Sequence, residues 1–168
     1  MIILMAGLPG TGKSTLARAL ADTTSGAILS KDQIRAALFS LEDIEYSTAQ
    51  DDFCMEVMLN TSRYLLQKNP KRKIFLDGRT FSRHYQIDYV IEVANELAQP
   101  WTILECTCSE ESARRRLDLD PNHPARNRDF SLYLKVKSNF EPITHSKTVI
   151  DADQPLDACV RIALAAVE

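Results

Sequence analysis

Apolar residues along the chain come in two alternating arrangements. Short runs rich in β-branched residues, at Ile2 to Met5, Ala27 to Leu29, Ile74 to Asp77, Trp101 to Cys106 and Thr148 to Ile150, read as buried strands. Between them the apolar positions recur at helical spacing. Lys13 to Asp22 places Leu16 and Leu20 on one face and stops at Thr23-Thr24-Ser25-Gly26. Further helices are predicted over Lys31 to about Phe39, Thr48 to Gln67, Ser82 to Leu97, Glu110 to Leu117, Leu132 to Phe140 and Leu156 to Val167, with a break at Pro121 to Pro124. Ser30-Lys31-Asp32-Gln33 has the spacing of a capping box, so Ser30 is expected to cap its helix through its side chain.

Strands alternating with helices predict an α/β fold, a mostly parallel sheet covered on both faces. No repeat, low-complexity tract or linker interrupts the pattern, and residues 1–168 read as a single domain.

Composition narrows the class. Hydrophobic residues at 45% and charged residues at 26% suit an ordinary globular protein, and a net charge of −3 lacks the basic footprint of a protein that coats nucleic acid. The apolar start is too short to span a bilayer and has no basic region before it, so no targeting or membrane segment is expected. Four scattered cysteines do not form a disulfide framework. Cys106 and Cys108 lack the partners of a metal site and read as buried apolar thiols. A reducing cytoplasm fits.

Candidate chemistry begins at Gly7-Leu8-Pro9-Gly10-Thr11-Gly12-Lys13-Ser14, which matches G-x-x-x-x-G-K-[ST] between a predicted strand and a predicted helix. Backbone N–H groups at Gly10, Thr11 and Gly12, and the start of the helix through Thr15, are placed to cradle phosphate oxygens. Lys13 is expected to reach the β- and γ-phosphates, and the Ser14 hydroxyl to bind Mg²⁺. Nucleoside triphosphate binding follows, but not a reaction.

In a parallel sheet ligands gather beyond the carboxyl ends of the strands. After the second strand come Asp32 and Arg35. Spacing alone allows two readings. Asp32 either accepts a proton from an attacking hydroxyl while Arg35 holds an anionic group of the acceptor, or the two form an i,i+3 pair in a helix whose dipole favours an early aspartate. Asp77 ends the third strand, where a carboxylate suits a second Mg²⁺ contact, and Arg79 follows facing the acceptor or the surface. Arg114, Arg115, Arg116, Arg126 and Arg128 flank the break after the fourth strand, as a lid closing over transferring phosphate would require. Arg116 and Arg126 are the expected phosphate contacts, and Arg114 and Arg115 the solvated ones.

Together these residues resemble the small phosphate-loop kinase superfamily, most closely the AAA-domain kinases of the polynucleotide 5′-kinase and zeta-toxin-like branch. The likeness runs through Gly7 to Ser14, Ser30-x-Asp32-x-x-Arg35, Asp77, Arg115-Arg116-Leu117, Asn127-Arg128, Phe140-Glu141-Pro142 and Val149-Ile150-Asp151. The resemblance implies a three-layer α/β/α fold with five parallel strands ordered 2-3-1-4-5 and a helical lid at approximately 114–131. It implies ATP and Mg²⁺ as cofactors, Asp32 as general base, Arg35 on the acceptor's phosphate, and the loop from Asp151 to Pro155 beside the adenine. No phosphatase domain of the kind the phage enzyme carries is expected.

The expected function is transfer of the ATP γ-phosphate to a hydroxyl of a small molecule or nucleoside/nucleotide-like acceptor, with Lys13, Asp32 and Arg126 catalytic. Asp51, Asp52 and Glu56 beside only Arg63 and Lys68 suit a nucleic-acid strand poorly, so extended nucleic-acid binding is not expected. No membrane association or obligate protein partner is indicated. The alternatives are a kinase of 5′-hydroxyl polynucleotide ends and a nucleotide-binding switch without an acceptor; the guanine motif Asn-Lys-x-Asp is absent.

Overall fold

The structure, a computed structural model, describes residues 1–119 and 129–168. In chain order its elements are β1 (Ile2–Ala6), α1 (Lys13–Thr24), β2 (Ala27–Ser30), α2 (Lys31–Leu38), α3 (Thr48–Lys68), β3 (Ile74–Asp77), α4 (His84–Glu96), β4 (Trp101–Thr107), α5 (Glu110–Asp118), α6 (Phe130–Ser138), β5 (Thr148–Asp151) and α7 (Leu156–Val167).

Every residue of β1 is fully buried, because both of its faces are covered. Ile2, Leu4 and Ala6 point into a core shared with Met58 and Leu59 of α3 and Ile87 and Val90 of α4. Ile3 and Met5 point the other way, into a core shared with Leu16 and Leu20 of α1 and Ala163 of α7. The strand therefore reads as a continuous apolar run, since neither face meets water. The result is an α/β/α sandwich around five parallel strands ordered β2-β3-β1-β4-β5.

Register positions the site. Leu4 lies opposite both Leu76 and Ile103, and Ser30 lies opposite Asp77. The carboxyl ends of β1, β2 and β3 thus open onto one edge, where the strand order reverses and ligands collect.

Three boundaries depart from the sequence expectations. Ser30 precedes α2 but makes no side-chain capping bond, because it is the last extended residue of β2 and its side chain lines the cleft. Helix α4 starts at His84, not Ser82, and the carboxylate that accepts the His84 N–H (2.7 Å) belongs to the distant Glu141. Helix α6 spans Phe130–Ser138 because Asp129 caps it, accepting the Leu132 N–H at 2.8 Å. Among the described residues no helix is long and apolar enough to cross a membrane.

Leu20 is fully buried in the layer between α1 and the sheet. Leu20→Ala is expected to lower stability by about 2–5 kcal/mol, read as a lower urea midpoint with unchanged slope.

Candidate active site

The loop between β1 and α1 leaves the central strand at the switch point. At Gly7 (φ 127°) a Cβ would stand 2.2 Å from the Cys106 carbonyl oxygen, so only glycine passes this close to β4. Gly12 (φ 84°) precedes α1 in a left-handed conformation and provides no side-chain cap. The first N–H groups of α1 therefore lack a side-chain acceptor from their capping residue, the arrangement that receives an anion. Lys13 is buried, and its Nζ donates to the carbonyls of Gly7 (2.9 Å) and Leu8 (2.7 Å).

A cleft of about 880 Å³ opens in front of the loop. Gly12, Lys13, Ser14, Thr15, Asp32, Arg35, Asp77 and Arg79 all line it. Gly10 and Thr11 are buried behind it, Gly10 against Ala113 of α5 and Thr11 donating to the Leu8 carbonyl at 2.8 Å. Arg116 reaches the loop from α5. One of its terminal nitrogens donates to the Ala152 carbonyl at 2.6 Å. The other, Nη1, is buried without a hydrogen-bond partner and lies 3.8 Å from where a Cβ on Gly12 would stand. Arg114 instead stacks its guanidinium on the Phe130 ring at 3.7 Å, while remaining exposed. Arg126 and Arg128 lie outside the described residues, as do residues 120–128 of the segment expected to form a lid. Helix α6 supplies one wall of the cleft through Leu132, Lys135, Val136 and Asn139.

The floor beyond the loop is a network of buried ions. Arg35, with its side chain 3% exposed, donates from Nη1 to Asp32 Oδ1 at 3.1 Å and pairs through Nη2 with Asp51. The Tyr46 ring lies 5.2 Å from its guanidinium carbon. Lys31 places Nζ 2.8 Å from Asp51 and 3.8 Å from Asp32. Arg79, equally buried, donates to Asp52 at 2.6 Å. Sequence spacing identified Asp32, Arg35 and Arg79 but missed Lys31, and took Asp51 and Asp52 only as unpaired negative charge. Their partners are 16 to 27 residues away, beyond the reach of helical spacing.

The donor set fits a divalent cation held mostly by phosphate and water. Asp77 is 5% exposed, its Oδ1 is buried with no hydrogen-bond partner, and it shares the cleft with the Ser14 hydroxyl. Among the described residues no three histidine, cysteine or acidic side chains gather, so the protein's contribution would be these two oxygen donors, as Mg²⁺ accepts. The cysteines lie behind the site, with Cys108 Sγ 4.0 Å from the Gly10 carbonyl oxygen. Burial in the core pushes the Cys106 thiol up to about 12, and Cys108 packs in a separate cluster beside Leu117.

A family model described as an AAA domain matches residues 2–131. No curated protein matches the chain. A sugar kinase from Janibacter sp. HTCC2649 superposes with a TM-score of 0.69 at 18% identity, covering 98% of this chain and 92% of that one. Chaetomium thermophilum Kti12, solved with ADP-AlF3, gives 0.74 at 15% identity and 100% coverage of both chains. Mycobacterium tuberculosis APS kinase, solved with AMPPNP and APS, gives 0.70 at 15% identity, covering 98% and 95%. At such identities the likeness establishes the fold.

Lys31 carries a pH signature. Loss of solvent is the main cause that pushes its ammonium from 10.5 down to about 8; Asp32 opposes this, and Arg35 and Arg79 add to it. Below pH 8 folded and unfolded chains both hold the proton, so the penalty of burying the charge is fully present. Between pH 8 and 10.5 only the unfolded chain keeps it, and the penalty is relieved. The stability of the wild type relative to Lys31→Met is therefore expected to rise over that window, measured by chemical denaturation at pH 7, 9 and 10. A difference that stays flat with pH would contradict the buried, proton-poor Lys31.

Proposed function

The chain belongs to the AAA domain family and has the fold of the small phosphate-loop kinases, and from that premise we propose that it transfers the γ-phosphate of ATP to a hydroxyl of a small acceptor. One observation carries the reading. The phosphate loop and a carboxylate fixed by two buried cations, Asp32, face the same cleft. A nucleotide switch has no use for a positioned base opposite its phosphates. The names of the similar sugar kinase and APS kinase agree with a small acceptor.

In this reading the loop N–H groups and the start of α1 hold the triphosphate. Lys13 leaves its carbonyl partners for the β- and γ-oxygens. Ser14 and Asp77 would hold Mg²⁺, which when bound draws charge from the phosphate oxygens. Arg35 and Lys31 contact Oδ1 of Asp32, which leaves Oδ2 to take the acceptor's proton. The acceptor oxygen bonds to the γ-phosphorus while the bond from that phosphorus to the β–γ bridging oxygen breaks, giving ADP and a phosphorylated acceptor. Arg116 Nη1 is a further donor toward the phosphates, and Arg126 is assigned the same role from the sequence alone. The β5–α7 loop from Asp151 to Pro155 is proposed to flank the adenine. Arg35 has Asp51 as a second partner, so loss of the Asp32 charge does not strand it.

Asp32→Asn is expected to lower kcat by roughly 10²–10⁴-fold, with nucleotide affinity changed by less than about threefold. ADP release with a turnover-competent acceptor and fluorescent-nucleotide titration give the two numbers. Unchanged turnover would remove Asp32 from the chemistry and, with it, the kinase reading.

A further inference from the structure

Resting on the kinase reading above, we propose that the acceptor is an uncharged polyhydroxyl molecule of about one sugar ring, seated in the recess between α3 and α4, and that phosphate-bearing acceptors are excluded. The ion count at the acceptor end leads there. Its three cations are Lys31, Arg35 and Arg79, and each is already held by a carboxylate of this chain: Asp51 with Asp32 for the first two, Asp52 for the third. Three positive charges face three negative ones, and the sum is zero. All three cationic side chains are at most 10% exposed. A phosphate could enlist them only by displacing one of these carboxylates and breaking a short ion pair.

The recess extends this imbalance. It has a volume of about 200 Å³ and is lined by Asp52, Glu56, Arg79, Tyr85, Gln86 and Tyr89, with Met55 at its base. Two carboxylates outnumber one arginine, and that arginine donates to Asp52. Glu56 accepts the Tyr89 hydroxyl at 3.3 Å, which fixes the carboxylate at the recess wall without neutralising it. An anion here would meet an excess of negative charge, and like charges placed this close repel it. The other cations of the cleft do not line this recess: Lys13 and Arg18 on α1, Lys135 on α6, and Arg83, which pairs with Glu141 at 3.0 Å.

Hydroxyl groups match what remains. Each can donate to Asp52 or Glu56 and accept from Gln86 or a tyrosine hydroxyl, whereas a phosphate only accepts. Tyr85 and Tyr89 are 51% and 39% exposed, and their rings offer flat apolar surface for the C–H face of a ring-shaped polyol. The volume is that of about six or seven waters at ~30 Å³ each, enough for one ring and too small for a nucleotide. Arg79, Tyr85 and Gln86 line both the recess and the main cleft, so an acceptor seated here adjoins the space that Asp32 lines.

The test uses matched pairs: neutral monosaccharides and cyclic polyols, each beside its own monophosphate, with a 5′-hydroxyl oligonucleotide as a third arm. ADP release from ATP·Mg²⁺ reports turnover, and ligand-observed NMR with AMPPNP-loaded protein reports binding. At least one neutral member is expected to bind and turn over, with kcat/KM at least tenfold above its monophosphate. Asp52→Asn frees Arg79 and is expected to narrow that ratio severalfold, while its denaturation midpoint reports that the variant is folded. Preference of the wild type for a monophosphate or for the oligonucleotide would overturn the inference and leave the kinase standing. Binding of neutral members without any ADP release would overturn the kinase reading instead. Absence of binding by every neutral member would remove the recess as an acceptor site.

Discussion

The structure depends on burying one five-residue strand on both of its faces. β1 has no solvent-facing side chain, so it must have a strand on each edge and a helix layer on each face before any of its apolar surface is out of water. β3 and β4 fill its edges, and α1 with α7 and α3 with α4 fill its faces. The loop that follows is held at the centre of the sheet by this demand. Its glycine at position 7 is set by the carbonyl of the neighbouring β4 rather than by any ligand. The place of the loop is thus a by-product of core packing, to which Thr11 and Lys13 add bonds back to the Gly7 and Leu8 carbonyls.

The acceptor end is ordered by different physics. Lys31, Arg35 and Arg79 are buried cations, and an unpaired buried charge is among the most destabilising features a fold can contain. Their carboxylate partners come from α2 and from two consecutive residues on α3, so the pairing ties these helices to the loop after β3. Such networks rarely add net stability over apolar packing of equal volume. What this one contributes is position. Arg35 and Lys31 converge on a single oxygen of Asp32, which fixes the orientation of that carboxylate toward the cleft.

The contrast explains what could be read from the sequence. Strands buried on both faces leave uninterrupted apolar runs, and the phosphate loop leaves a contiguous motif, so the fold class and the place of that loop were both legible. Strand order came through the resemblance to a family, since no local signal encodes which strand neighbours which. The ion pairs were illegible because they join positions 16 or more residues apart on different elements. Asp51 and Asp52 looked like exposed negative charge on a helix face, yet they are the counter-ions of the site. The same blindness applied to α4, whose first turn is capped by Glu141 from 57 residues away, while the nearby Ser82 looked like the natural cap.

A site assembled this way separates affinity for the donor from selectivity for the acceptor. At the loop, positive character is left open: helix N–H groups without a side-chain cap and an arginine nitrogen without a partner. At the far end of the cleft Lys31, Arg35 and Arg79 are each closed by a carboxylate. A triphosphate held as proposed would find open positive character in the first region and none in the second, so it would have one orientation that satisfies both. Discrimination of this kind arises from what the site refuses as much as from what it contacts. It also bears on Asp32, the proposed base. Were Arg35 released to bind an acceptor phosphate, Asp32 would lose the nearer of the two cations that orient it, so phosphate recognition and the proposed proton abstraction would compete for one guanidinium. Keeping Arg35 within the protein's own network removes that competition and leaves Asp32 aligned whether or not an acceptor is present.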